Sequence, residues 1–406
     1  MELRVITDAQ ELESLEQDWD ALLRESSGNA LPVSHSWIMA WWNSFGGGNC
    51  ELHVVVVYGD NQELLAIAPF MKARTAFRGV KVIQLSLMAN SYTPSVSIVV
   101  RRNVDPDAVV AIVFQHLIGL RGVDVITLKK LPSSGDVYDA VIRHLRATRQ
   151  LFGVKRIAES PFIPTTTDWD TFVAPFSRNF RKEIRSRLKA ANGCNGIEVK
   201  RIKIQNSADP AFDDIRAISA NSWKRAVGTH IDGWPDGKRF LLDLCDRFGS
   251  DGAVSIWLLC KDHLPIAYEF HVTYGGVTYP LRADYRSALA RVAPGATLEC
   301  QILRALFDDP NVREYNTCGN TYRYLLRWTN LTRKHVHIQV FPKRFLPRSL
   351  YLFEFSVIPS LRWARRILER LRVSVHDRVN PSCALVSPTP RTTTQAAELN
   401  RSVREG

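Results

Sequence analysis

Apolar and polar positions along this chain switch repeatedly between a period near 3.6 and a period of two, and the switches mark out short helices and strands. Leu12, Leu15, Trp19, Leu22 and Leu23 fall on one helical stripe. A second helix is predicted from Ser34, a suitable N-cap, with Trp37, Trp41 and Phe45 at i, i+4 and i+8. Rings at that spacing predict packing, because they bury large areas. Strands are predicted over 51–58, 63–71, 80–87, 95–100 and 123–128, and helices over 106–120 and 134–150. The first half therefore reads as a mostly antiparallel mixed sheet covered by helices.

The second half repeats this plan. Residues 264–274 and 277–285 read as two strands joined by Gly275-Gly276, a good hairpin signal. A loop containing Pro294-Gly295 leads into a helix predicted from near Thr297, with Leu298, Ile302, Ala305 and Leu306 at helical spacing. A strand feeding a helix through small residues leaves backbone N–H groups converging on one spot, with the positive end of the helix behind them. That arrangement can hold a pyrophosphate, and an ordinary Pro-Gly turn is the alternative.

A local echo links the halves: residues 64–70 (LLAIAPF) resemble 264–270 (LPIAYEF), and a Ser-Trp pair precedes each, Ser36-Trp37 and Ser222-Trp223. A repeat at about half the chain predicts duplicated domains rather than a solenoid. Residues 159–168, with two prolines and a threonine run, read as an extended linker. Beyond it Ser177 caps a helix with an apolar line of Phe180, Ile184, Leu188 and Ala191, stopped by Gly193 and Gly196. These signals divide the chain into domains at 1–165 and 166–350, the second carrying the donor site, and a C-terminal helix and disordered tail over 351–406.

Length and composition support two globular domains: 406 residues exceed one usual core, and 45% hydrophobic with 23% charged residues is ordinary. The seven cysteines are dispersed without metal-ligand spacing, which predicts reduced thiols in the cytoplasm and no metal site. Neither a signal peptide nor a membrane span is predicted. The net charge of +12 is concentrated between Arg178 and Lys203 and between Lys343 and Arg372. Such fields attract nucleotide phosphates, RNA and anionic lipid headgroups alike.

Several segments, in order, resemble the GNAT-type acyltransferases. They are residues 36–42 (SWIMAWW), 66–70 (AIAPF), 177–181 (SRNFR), 222–231 (SWKRAVGTHI), 265–267 (PIA), 282–285 (RADY), 293–295 (APG) and 327–328 (RW). The likeness is to the duplicated-domain branch related to FemAB-like transferases and known as cellulose-biosynthesis-associated acetyltransferases. It implies an α/β fold (an α+β mixed sheet) of tandem GNAT-like acyl-CoA N-acyltransferase domains. It also implies an acyl donor held where a strand parts from its neighbour and the next helix begins. Acetyl-CoA or another acyl-CoA is then the co-substrate, and a small molecule or saccharide, such as an exopolysaccharide precursor, the acceptor. Charged tRNA is the alternative donor, favoured by the basic stretch 178–203; a non-catalytic subunit docked on a polysaccharide synthase or membrane is a third reading. The usual phosphate loop resembles Gln/Arg-x-x-Gly-x-Gly/Ala, whereas residues 291–296 read Arg-Val-Ala-Pro-Gly-Ala. Pro294 supplies no N–H, so the loop offers phosphate one donor fewer.

Acyl transfer from a thioester needs a base for the acceptor and a donor aimed at the developing oxyanion. Glu269 and His271 share one face of their predicted strand with Ala267, and Arg282 and Asp284 share one face of the next, so period-two geometry can set the pairs across from each other. Glu269 and Asp284 are the candidate bases, a structural Glu269–Arg282 ion pair being the alternative. Tyr285 is the candidate acid for the leaving thiolate. Arg291, Gly295, Ala296 and Thr297 are assigned to the donor phosphates, and Trp223, Lys224, His230 and Arg282 to substrate. The run 320–324 (NTYRY) is a candidate pocket wall.

Overall fold

The computed structural model describes residues 1–365 apart from 158, 191–195, 319–320 and 362. The strands, in chain order, are β1 (Glu2–Ile6), β2 (Cys50–Tyr58), β3 (Leu64–Phe77), β4 (Val80–Leu87), β5 (Val99–Val100), β6 (Val125–Pro132), β7 (Leu151–Arg156), β8 (Ser160–Pro164), β9 (Ile197–Lys203), β10 (Val254–Lys261), β11 (Leu264–Tyr274), β12 (Val277–Tyr285), β13 (Glu314–Asn316), β14 (Thr332–Arg333) and β15 (His335–Phe341). The helices are α1 (Ala9–Ser14), α2 (Glu16–Arg24), α3 (His35–Phe45), α4 (Pro106–Gly119), α5 (Asp136–Ala147), α6 (Trp169–Val173), α7 (Arg178–Ala190), α8 (Ala211–Ala220), α9 (Pro235–Phe248), α10 (Pro294–Phe307) and α11 (Phe345–Leu352). They build two mixed sheets, ordered β1-β2-β3-β4-β6-β15-β7, with β5 alongside β3, and β14-β8-β13-β12-β11-β10-β9. The mixed α/β architecture expected from the sequence is the one observed, as two mixed sheets with helices on them.

The sheets do not follow the expected chain division at 165. β15, from the end of the second half, lies between β6 and β7, and β8, from the supposed linker, lies between β13 and β14. The apolar runs that predict strands carry no information about which distant strand they pair with. The predicted strand 95–100 is reduced to Val99–Val100, and Gly193 and the tail from residue 366 lie outside the described residues.

One core joins the halves. The Ser34 hydroxyl accepts the Trp37 N–H and caps α3. The stripe below that cap packs on α9, with the Trp37 and Phe240 rings edge to face at 5.0 Å. Tyr92, from the loop after β4, stacks on Trp234 at 5.0 Å. A separate cluster, including Trp169, Ile184, Leu298, Ile302 and Trp328, fixes α6, α7 and α10 to the second sheet. Among the described residues no helix is long and apolar enough to cross a membrane.

Candidate active site

The β11–β12 hairpin is central to the second sheet, and its register decides which side chains meet. Gly275 and Gly276 both take positive φ, 55° and 76°, as a tight two-residue reversal demands. The turn sets Tyr268 opposite Asp284, Glu269 opposite Ala283 and Phe270 opposite Arg282, with a bulge before His271. Residues directly opposite share a face. Glu269 and Asp284 therefore occupy opposite faces of the sheet, which corrects the expectation that the Glu269–His271 and Arg282–Asp284 pairs confront each other. The Glu269–Arg282 ion pair is excluded by the same register.

On the face covered by α8, Asp284 is fully buried in a network of donors. Its Oδ2 accepts from the Ser219 and Tyr268 hydroxyls, each at 2.9 Å. Its Oδ1 lies 2.8 Å from Lys224 Nζ, and the Arg282 guanidinium is 3.6 Å from Oδ2. Arg282 in turn donates to Tyr92 OH (3.1 Å), Tyr268 OH (3.2 Å) and the Thr229 carbonyl (2.5 Å). The first half of the chain thus contributes Tyr92 to this network. Burial drives the Lys224 ammonium below its ordinary range, opposed by the charge of Asp284. Trp223 is exposed at the rim, where the Lys224 ammonium stands 6.0 Å from its ring, and His230 Nδ1 is buried with no hydrogen-bond partner among the described residues.

The face covered by α10 is built differently. Glu269 Oε2 accepts from His271 Nε2 at 2.9 Å and from the Tyr315 hydroxyl at 3.1 Å. Above it, Glu299 of α10 accepts from Trp328 Nε1 at 3.1 Å. Burial, and then repulsion from Glu269, pushes the Glu299 carboxyl up to about 8. Ala283, directly opposite Glu269, is exposed although it lies inside a strand. The chain leaves room beside Glu269.

That room opens at a gap in the sheet. β12 and β13 run parallel and pair only at Val277–Glu314 and Thr278–Tyr315, so the remainder of β12 parts from its neighbour. Lys224 Nζ donates to the Ala283 carbonyl at 2.8 Å, which carries its charge to this edge. Lys224 and Glu269 thus both adjoin Ala283, the first through its carbonyl and the second across the ladder.

The corner beyond the gap begins at Ala293, held left-handed at φ 48°, followed by Pro294 at the first turn of α10. Among the described residues no side chain caps this helix. The Thr297 N–H and hydroxyl both bond the Ala293 carbonyl, at 3.2 and 3.3 Å, leaving the amides of Gly295 and Ala296 as the corner's backbone donors. Arg187 of α7 sits at the same corner, 3.2 Å from Thr297 Oγ1. Its guanidinium is paired with Glu183 at 2.9 Å and also donates to the Ala293 carbonyl at 3.4 Å, which holds the cation beside the positive end of α10. The corner is also roomy: a Cβ on Gly295 meets only Tyr285, at 3.6 Å. These features fit a phosphate group.

Of the residues expected from sequence, the fold gathers Arg282, Asp284 and Lys224 on one face, Glu269 on the other, and Tyr285, Gly295, Ala296 and Thr297 at the corner. Arg291 is exposed on the preceding turn, Ser287–Val292, outside these networks. In the run 320–324, Asn320 lies outside the described residues, while the Tyr322 and Tyr324 rings stack at 5.8 Å. Sequence reasoning missed Glu299, Tyr315, Ser219, Tyr268, Tyr92 and Arg187. The signal for Glu299 was present as a carboxylate between Leu298 and Cys300 on an apolar stripe. Tyr92 carried none, since only tertiary folding brings it here.

Residues 178–324, which hold all of this apart from Tyr92 and Trp328, match the family described as "Acetyltransferase (GNAT) domain". No curated protein matches the chain. Among solved structures, FemX is similar with a TM-score of 0.55 at 12% identity, over 87% of this chain and 99% of that one. A conserved Bacteroides thetaiotaomicron protein of unknown function reaches 0.53 at 11% identity, over 83% of this chain and 100% of its own. The C-terminal domain of a candidate lysylphosphatidylglycerol synthetase from Agrobacterium fabrum reaches 0.52 at 10%, over 86% and 97%. At such identities the likeness is one of fold. A GNAT acetyltransferase domain in the second half supports acyl transfer as the general chemistry.

Proposed function

We propose that the second half transfers an acyl group from acyl-CoA, acetyl-CoA in the simplest case, to an amine or hydroxyl. The acceptor is a cytoplasmic sugar or exopolysaccharide precursor. The observation that carries this is the gap between β12 and β13: exposed Ala283 beside Glu269 leads straight to the uncapped corner of α10. The Gly295 and Ala296 amides and Arg187 hold the donor's phosphates, and Tyr285 borders them. The donor supplies an activated thioester carbonyl.

Glu269 takes the acceptor's proton, since Asp284 is fully engaged by Lys224, Arg282 and two hydroxyls. Tyr315 and His271 orient the Glu269 carboxylate by donating to one of its oxygens. Lys224, braced by Asp284, offsets negative charge on the carbonyl oxygen. Trp223, His230 and Arg282 border the acceptor. No covalent enzyme intermediate is needed.

A second reading has its own support. Arg178, Lys182, Arg185 and Lys189 are exposed on α7, the helix that delivers Arg187 to the donor corner, and this face suits the backbone of a charged tRNA. Thermal unfolding with CoA, acetyl-CoA and bulk tRNA separates the two. A donor at about 100 times its Kd stabilises the protein by roughly 2.7 kcal/mol. Stabilisation by acetyl-CoA supports the first reading. Stabilisation by tRNA alone, collapsing steeply with salt, replaces it with the second, and no response to either overturns both.

A further inference from the structure

After β15 the chain leaves the first sheet as α11 and continues through a wider helical turn at Phe353–Val357. One side of this segment is well seated. Tyr351 and Phe355 lie 5.7 and 6.2 Å from the Phe341 ring, Phe355 closes over Gly153, and buried Glu354 is paired with Arg78 at 2.6 Å. Pro347 and Leu350 are buried on the same side.

The opposite side is apolar as well, and nothing among the described residues covers it. Phe345 is 89% exposed, Trp363 67% and Leu361 63%, and Leu352, Phe353 and Val357 are exposed between them. A helix apolar all round is ordinarily buried all round, and a contiguous exposed stripe marks an interaction surface. Charge narrows the choice of partner. Residues 343–372 contain eight Lys or Arg and two acids, and one of those acids, Glu354, faces inward in its ion pair. Lys343 and Arg348 are exposed along the flank of the stripe. A long apolar stripe bordered by cations and ending in a tryptophan fits a plane that is oily within and anionic at its surface.

We propose that this outer face of α11 and its continuation docks the protein on an anionic lipid bilayer, with Phe345, Phe353, Leu361 and Trp363 in the interface and the basic residues over the headgroups. The partner is recognised by class, as a surface rather than one lipid. Docking is independent of the chemistry at the sheet gap.

Flotation of the full chain with vesicles of phosphatidylcholine alone, or mixed with phosphatidylglycerol, tests it. Binding to the mixed vesicles, weakened by salt, is expected. The combined variant Phe345→Ser, Leu361→Ser, Trp363→Ser should lose at least about tenfold in partitioning with thermal unfolding unchanged, because these side chains are exposed. If that variant misfolds, Lys343→Glu with Arg348→Glu serves instead. Each charge removed near an anionic surface costs roughly fivefold, so a fall of about 25-fold or more is expected. Equal binding to both vesicle types, retention of binding by both variants, or a dimer in solution that the serine variant dissolves would each overturn the proposal, the last in favour of self-association.

Discussion

The two faces of the β11–β12 hairpin each bury carboxylates, and they compensate the cost in opposite ways. Asp284 is matched by Lys224, with Arg282 close behind and two hydroxyls completing its shell. Glu269 and Glu299 have Tyr315, His271 and Trp328 as hydrogen-bond donors and, among the described residues, no lysine or arginine bonded to either. A buried charge must find a counter-charge or keep its proton. The first face has taken the former course; on the second, burial and repulsion from Glu269 raise the Glu299 carboxyl to about 8, so the first is suited to holding shape and the second to exchanging protons.

Glu269→Gln tests this contrast with the largest expected effect. Loss of a positioned base lowers turnover by about 10²–10⁴-fold. Release of CoA thiol reads the loss, and calorimetry with acetyl-CoA should show donor affinity unchanged. Retention of full turnover would remove the second face from the chemistry.

Asp284→Ala is expected to act on stability before it acts on rate. It strands Lys224 and Arg282 in the interior, and breaking a buried pair on one side costs about 3–5 kcal/mol. Urea unfolding reads this directly, and Asp284→Asn, which keeps the two hydroxyl partners, should cost less. A stable Asp284→Ala protein that had lost only turnover would reverse the roles assigned to the two faces.

Glu299 sharpens the comparison through pH. Its carboxyl is raised from an ordinary 4.5 to about 8 in the folded chain. The stability tied to its proton is therefore full below about 4.5 and is lost as pH rises toward 8, with a slope of at most about 1.4 kcal/mol per pH unit. Glu299→Gln, permanently neutral, should gain on the natural protein steadily over that window. Urea midpoints at pH 5, 6.5 and 8 measure the gap, and a gap that does not widen with pH would mean that Glu299 is already ionised.

Much of this architecture was legible in the chain because it is local. The Ser34 cap, the Gly275-Gly276 reversal and the strand-to-helix loop at Pro294 each depend on residues within a few positions of one another. What was not legible is non-local. Period-two patterning says that Glu269 and His271 share a face, but which face Asp284 joins depends on register, and the bulge before His271 has no signature in the letters. The interchange of β8 and β15 between sheets has the same origin, as does the arrival of Tyr92 against Arg282 from 190 positions away. The contrast between the faces could be drawn only after folding had sorted the carboxylates.

The smallest effect concerns the corner that serves the proton-exchanging face. Pro294 deprives α10 of one N–H at its first turn, leaving the amides of Gly295 and Ala296 and the side chain of Arg187. Pro294→Ala restores a donor without adding bulk. A hydrogen bond to a charged group is worth about 1.5–3 kcal/mol when its geometry is good, but relaxing the proline's fixed φ returns conformational freedom to the loop and offsets part of that gain. A net tightening of CoA binding of about three- to tenfold is expected, read by calorimetry, with urea stability nearly unchanged. Arg187→Met should move affinity the other way by a similar factor. If neither substitution alters CoA binding while Glu269→Gln still abolishes turnover, the donor's phosphates lie elsewhere and the gap beside Ala283 is entered from another side.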